Sequence, residues 1–120
     1  MRNQPKYHFF KNTNYALAGM KDLLQHETSF KIELFIVMLL LPVIFYIEVS
    51  LTHKLLLFIT LMGMLIAEAI NSAIERVVDL VTLEHHPMAG RAKDVGSAVV
   101  FLSIAVFVVT WLTVLASVYL

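Results

Sequence analysis

Residues 55–79 read "LLLFITLMGMLIAEAINSAIERVVD". Leu55 to Ile74 is an apolar run of the length that crosses a bilayer, since about 20 mostly apolar residues suffice. It carries a single charge, Glu68. Beyond it the polar residues do not scatter. Glu68, Asn71, Glu75 and Asp79 follow one another at steps of three and four, so on a helix they form one stripe, with Ser72 at its border. The stripe starts about 10 Å inside the end of the span, at ~1.5 Å per residue from Glu75 back to Glu68. Burying a charge at the centre of a membrane costs about 3 kcal/mol even on lenient scales. Asn or Ser alone would suit a seam that only joins helices. Two Glu and an Asp on one stripe point instead to function.

The rest of the chain fits a membrane protein. Of the 120 residues, 59% are hydrophobic and 15% charged, and the mean hydropathy is +0.80. One soluble domain of this length cannot hide so much apolar surface. The formal net charge is +0, which gives no polyelectrolyte signal for nucleic acid. With no cysteine, disulfides and thiolate metal sites are excluded. The N-terminal residues lack the apolar core of a cleavable signal.

A second span is predicted over Val95–Leu120, which contains no charge. The first span is shorter: "LFIVMLLLPVIFYI" (34–47) crosses if Lys31 and Glu33 sit at one interface and Tyr46 at the other. Pro42 is tolerated there as a kink within a bundle. The expected spans are residues 31–49, 54–78 and 95–118, within a single domain of residues 1–120. Before them, Phe9, Phe10, Leu17, Met20, Leu23 and Leu24 recur at helical spacing among Lys6, Lys11, Lys21 and Asp22. This predicts an amphipathic helix over about 5–29, lying on the membrane surface or against a soluble partner. The expected connections are "EVSLTHK" (48–54) and "TLEHHPMAGRAKD" (82–94).

Lys and Arg set the expected orientation. Arg2, Lys6, Lys11, Lys21 and Lys31 precede the first span, and Arg76, Arg91 and Lys93 surround the second connection, against Lys54 alone in the first. The positive-inside rule then places the N-terminus in the cytoplasm and the C-terminus outside.

Glu27 and Glu33 flank the entry to the first span, while Glu84, His85, His86, Arg91, Lys93, Asp94 and Ser97 follow the stripe. Carboxylates without thiols favour Mg²⁺ over zinc. Nearby Lys and Arg favour phosphate. Adjacent His85 and His86 point different ways on a helix, so interfacial polar residues are a commoner reading of them than a zinc site. There is no G-x-x-x-x-G-K-[ST] loop or soluble-kinase signature.

"EAINSAIERVVD" (68–79) followed by "GRAKDVGSAVV" (90–100) closely resembles the small integral-membrane diacylglycerol kinases of bacteria, and the resemblance runs from "NYALAGMKDLLQHE" (14–27) to the last span. It implies an all-α protomer, a surface helix plus three transmembrane helices, assembled as a homotrimer in the inner membrane. It also implies Mg-ATP-dependent phosphorylation of diacylglycerol. Position by position, Glu68 would be the general base and Glu27 and Glu75 the Mg²⁺ carboxylates, both also meeting ATP. Lys93 and Asp94 would hold the nucleotide phosphates, with Tyr15, Glu84 and His86 on ATP. Asn71 and Glu33 would support the site, and Ser97 would lie beside the lipid headgroup. His8 stands where the family has an arginine near the nucleotide, and Leu17 where it often has tryptophan. Phosphoryl transfer asks mainly for positioning and charge neutralisation. Related enzymes of the same fold phosphorylate undecaprenol, which is the nearest alternative substrate. An acidic ion or proton relay and a purely structural subunit are the readings outside enzymology.

Overall fold

The structure is a computed structural model that describes residues 8–120. Residues 5–7 of the expected surface helix, with Lys6 and Arg2, lie outside the described residues. Among those described, the chain forms four helices and no strand: α1 (Phe9–His26), α2 (Thr28–Tyr46), α3 (Leu51–Val81) and α4 (Pro87–Tyr119). The last three are long and apolar enough to cross a membrane.

α3 is the central helix and buries far more of its apolar window than α2 or α4. Leu57 and Leu61 are fully enclosed, packed with Val37 and Ile44 of α2, Met64 and Leu65 of α3, and Trp111 and Val114 of α4. Trp111 Nε1 donates to Leu57 O at 3.1 Å, which fixes the register of α4 against α3. An indole N–H buried among apolar groups needs such a partner. Outward-facing Phe35, Phe45, Phe101 and Leu102 are exposed. In a membrane protein acyl chains meet such side chains, so their exposure carries no hydrophobic penalty.

Each helix boundary has a local cause. α1 ends at His26 because Glu27 adopts an extended backbone, so α1 does not reach residue 29. That single residue is both the C-cap of α1 and the N-cap of α2. α2 continues through Pro42 to Tyr46. Ser50 caps α3 by accepting from His53 N at 3.1 Å, and Lys54 Nζ donates to Phe45 O at 3.1 Å across the connection. α3 therefore begins at Leu51 and takes in most of "EVSLTHK".

The second connection differs more from expectation. Only residues 82–86 are non-helical, and "GRAKD" belongs to α4. Pro87 starts the helix, where its fixed φ is suited and its missing N–H costs nothing. His86 Nδ1 accepts from Met88 N at 3.1 Å and caps it. The polar composition reflects a helix running past the apolar zone, where water satisfies its side chains.

α1 has no buried residue, and Phe9, Phe10, Leu17, Met20 and Leu24 are exposed. An apolar face left uncovered by the rest of the protomer is what a helix lying on a bilayer presents.

Candidate functional site

The acidic stripe lies at one end of the bundle. Glu68, Asn71 and Ser72 of α3 are buried, as is Glu33 of α2, whereas Glu75 stands nearer the surface. Asn71 Nδ2 donates to Glu75 Oε1 at 2.8 Å and so fixes that carboxylate from below. Glu27 and Glu75 both lie within electrostatic reach of Glu68, and Glu68 within that of Glu33. Four carboxyl groups from the α1–α2 junction, α2 and α3 thus share one end of the bundle. Of these, Glu27 is already paired with Arg76, and Glu75 accepts from Asn71.

Helix α4 closes one side. Gly96 is buried, and a Cβ built there would overlap Asn71 Oδ1. Any larger residue would push α4 away or turn Asn71 out of its bond with Glu75. Three residues before Gly96, Lys93 Nζ pairs with Asp79 Oδ1 at 2.7 Å, and its charge is felt at Glu75.

The α1–α2 junction is tied to α3 by Arg76. Its Nε and one terminal nitrogen both donate to Glu27 Oε1, at 3.0 and 2.9 Å, and the other terminal nitrogen pairs with Asp22 Oδ2. Asp22 also meets His26 Nδ1 at 2.8 Å. The hydrogen bond from Arg76 holds the Asp22 carboxyl below the usual range.

The expected site residues separate into two groups. Glu27, Glu33, Glu68, Asn71, Glu75 and Lys93 come together around the end of α3. Glu84, His85 and His86 line a cavity of about 230 Å³ together with Lys93, Val78 and Gly90. Asp94 and Ser97 are exposed on the first turns of α4. Tyr15 and His8 lie at the other end of α1. From Tyr15 to Glu27 the helix axis advances roughly 18 Å, and from His8 roughly 28 Å, at ~1.5 Å per residue. Neither therefore lies beside Glu27 of the same protomer. Lys93, expected at phosphate, is engaged with Asp79, so phosphate must compete for it.

Sequence reasoning missed Arg76 and Asp22 as site residues, used Asp79 only as a stripe member, and gave Gly96 no role. Lys93 and Asp79 are separated by a connection, and Arg76 faces a helix far away in sequence. Neither partnership leaves a spacing signal.

The donor set can be tested against a divalent ion. No group of three His, Cys, Asp or Glu side chains among the described residues is arranged to hold a metal by itself. Magnesium is held by one or two carboxylates together with substrate phosphates. Glu27 and Glu75, each tied through one oxygen, fit that arrangement.

Residues 14–115 match the prokaryotic diacylglycerol kinase family. The chain belongs to this family. It is 41% identical over 103 residues to the diacylglycerol kinase of Pseudomonas aeruginosa, covering 86% of this chain and 84% of that protein. It is 35% identical over 104 residues to the diacylglycerol kinase of Haemophilus influenzae, covering 87% and 88%. It is also 34% identical over 92 residues to the undecaprenol kinase of Bacillus subtilis, covering 77% and 75%. The family is one of lipid kinases. The protein is a multi-pass bacterial membrane protein.

Proposed function

We propose that this protein transfers the γ-phosphoryl group of Mg-ATP to the free hydroxyl of diacylglycerol, giving phosphatidic acid and ADP at the cytoplasmic membrane surface. The observation that carries this is the buried Glu68 beside two more accessible carboxylates, Glu75 and Glu27. The lipid hydroxyl reaches the deeper group from the bilayer, and ATP reaches the shallower ones from water.

Glu68 takes the proton of the lipid hydroxyl as its oxygen bonds to the γ-phosphorus and the bond to the β,γ-bridging oxygen breaks. Glu27 and Glu75 would hold Mg²⁺, which when bound supplies charge neutralisation on the phosphates. Asn71 orients Glu75, and Glu33 backs Glu68. Lys93, released from Asp79, meets phosphate oxygen, with Asp94 beside it. Glu84 and His86 flank the nucleotide, and Ser97 the lipid headgroup. His8 and Tyr15 lie far along α1 from Glu27 of the same protomer. They fit a site completed between subunits of a homotrimer. The basic residues around the site support a reading with it, and the N-terminus, on the cytoplasmic side and the C-terminus in the periplasm.

Diacylglycerol is favoured over undecaprenol because "NSAIE" (71–75) and "GRAKDVGSA" (90–98) resemble the diacylglycerol kinases more, and the 41% identity to the Pseudomonas relative agrees with that. The test is direct. Purified protein with labelled ATP should phosphorylate diacylglycerol and lose the activity with EDTA. Phosphorylation of undecaprenol alone would replace the substrate, and inactivity on both would sink the kinase reading.

A further inference from the structure

Arg76 follows Glu75 in sequence, so the two side chains leave α3 about 100° apart. Glu75 turns to Asn71 while Arg76 turns to the α1–α2 junction. There one guanidinium serves two carboxylates. Two of its nitrogens converge on a single oxygen of Glu27, Oε1, and neither reaches Oε2. The third nitrogen is anchored by Asp22, a turn and a half earlier on α1. α1 buries none of its own residues, so this clamp is a principal polar tie between α1 and α3.

We infer that Arg76 is a positioning residue for the divalent cation: anchored by Asp22, it fixes Glu27 by one oxygen and presents the other to the metal. The inference rests on the reading of Glu27 as a metal carboxylate. It makes a prediction opposite to simple electrostatics. A guanidinium beside Glu27 repels a divalent ion, so removing its charge should tighten metal binding if charge were its whole effect. If it orients Glu27, removing it should weaken binding. Groups that orient metal ligands typically contribute about 10–100-fold to metal affinity or activity. Lysine is no substitute, because its one nitrogen cannot fork across two carboxylates.

The experiment uses the full-length protein in detergent micelles with a non-hydrolysable ATP analogue. Mn²⁺ binding is read from the loss of the free-ion electron paramagnetic resonance signal. Arg76→Gln should raise the half-saturating Mn²⁺ about 10–100-fold. Arg76→Lys should recover only part of the loss, and Asp22→Asn should shift binding in the same direction by less. In kinase assays the Mg²⁺ requirement should rise more than kcat at saturating metal falls, a split that general loosening of the fold does not produce. Unchanged or tighter Mn²⁺ binding in Arg76→Gln overturns the assignment. If that variant does not assemble, wild-type Mn²⁺ binding by Asp22→Asn overturns it equally. Wild-type protein that binds Mn²⁺ with the nucleotide analogue but phosphorylates neither lipid refutes the kinase reading while Arg76 still stands or falls on the binding data.

Discussion

Replacing Gly96 by alanine tests how tightly α4 is fitted to the site. The added methyl would overlap Asn71 Oδ1 and come within 3.5 Å of Ile74 Cγ2. Asn71 is buried and holds Glu75 by a 2.8 Å hydrogen bond, so it has little room to turn. Overpacking a filled interior costs about 1–3 kcal/mol. Turning Asn71 away would instead forfeit a hydrogen bond to a carboxylate, itself worth about 1.5–3 kcal/mol. Against either, alanine in a helix gains about 1 kcal/mol over glycine. The net expectation is a loss of about 0–2 kcal/mol, and a fall in activity because Glu75 loses its support. Gly63 on α3 is the control: nothing lies within 4 Å of the position its Cβ would take, so Gly63→Ala should show only the helix gain. Unfolding in mixed micelles titrated with sodium dodecyl sulfate gives the stabilities, and a kinase assay the activity. Gly96→Ala as stable and as active as wild type would show that the two helices do not meet as described.

Glu68→Gln keeps shape and hydrogen bonding but cannot accept the hydroxyl proton, so kcat should fall by about 10²–10⁴-fold while nucleotide binding persists; retained kcat would mean that Glu68 only joins helices. Trp111→Phe removes the donor to Leu57 O, but the Thr60 hydroxyl, which donates to Leu56 O at 2.8 Å, also approaches Leu57 O at 3.2 Å and can turn to it. The hydrogen-bond loss should therefore lie near the low end of about 0.5–1.5 kcal/mol, read by the same unfolding titration. The Asp22 carboxyl is lowered from 3.8 chiefly by its hydrogen bond to Arg76, so its contribution is present above that value and is lost as pH falls through the lower folded one. Loosening of α1, followed by amide hydrogen exchange, should thus have an acid component below pH 3.8 that Asp22→Asn abolishes, and none from this group near neutrality. Single cysteines at Ser50 and Ala89, in a chain that has none, should react with an impermeant thiol reagent on intact cells at Ser50 and not at Ala89. The reverse pattern would invert the topology.

Much of this arrangement was legible in the sequence because it is local. The apolar runs specify the spanning helices, and steps of three and four align Glu68, Asn71 and Glu75 without any tertiary information. The polar stretch from Thr82 to Asp94 was harder. Its composition resembles a loop, and only the cap formed by His86 and Pro87 reveals that most of it is helical. What could not be read were partnerships across the fold. Gly96 looks like any glycine until Asn71 is found against it. Arg76 resembles an ordinary interfacial charge until Asp22 and Glu27 are found on its guanidinium. Such contacts depend on how helices cross, and no one-dimensional spacing encodes that.

The single extended residue between α1 and α2 has a mechanical consequence. Glu27 ends one helix and begins the next, and its backbone has only two soft torsions. A rotation about either would turn α1 and displace the carboxylate at the same time, against the clamp of Arg76 on Asp22 and Glu27. On the proposed reading of Glu27 as a metal carboxylate, a lateral force strong enough to turn the outer helix against the Arg76 clamp would also move a metal ligand, and the lipid composition of the leaflet would become a variable of the chemistry.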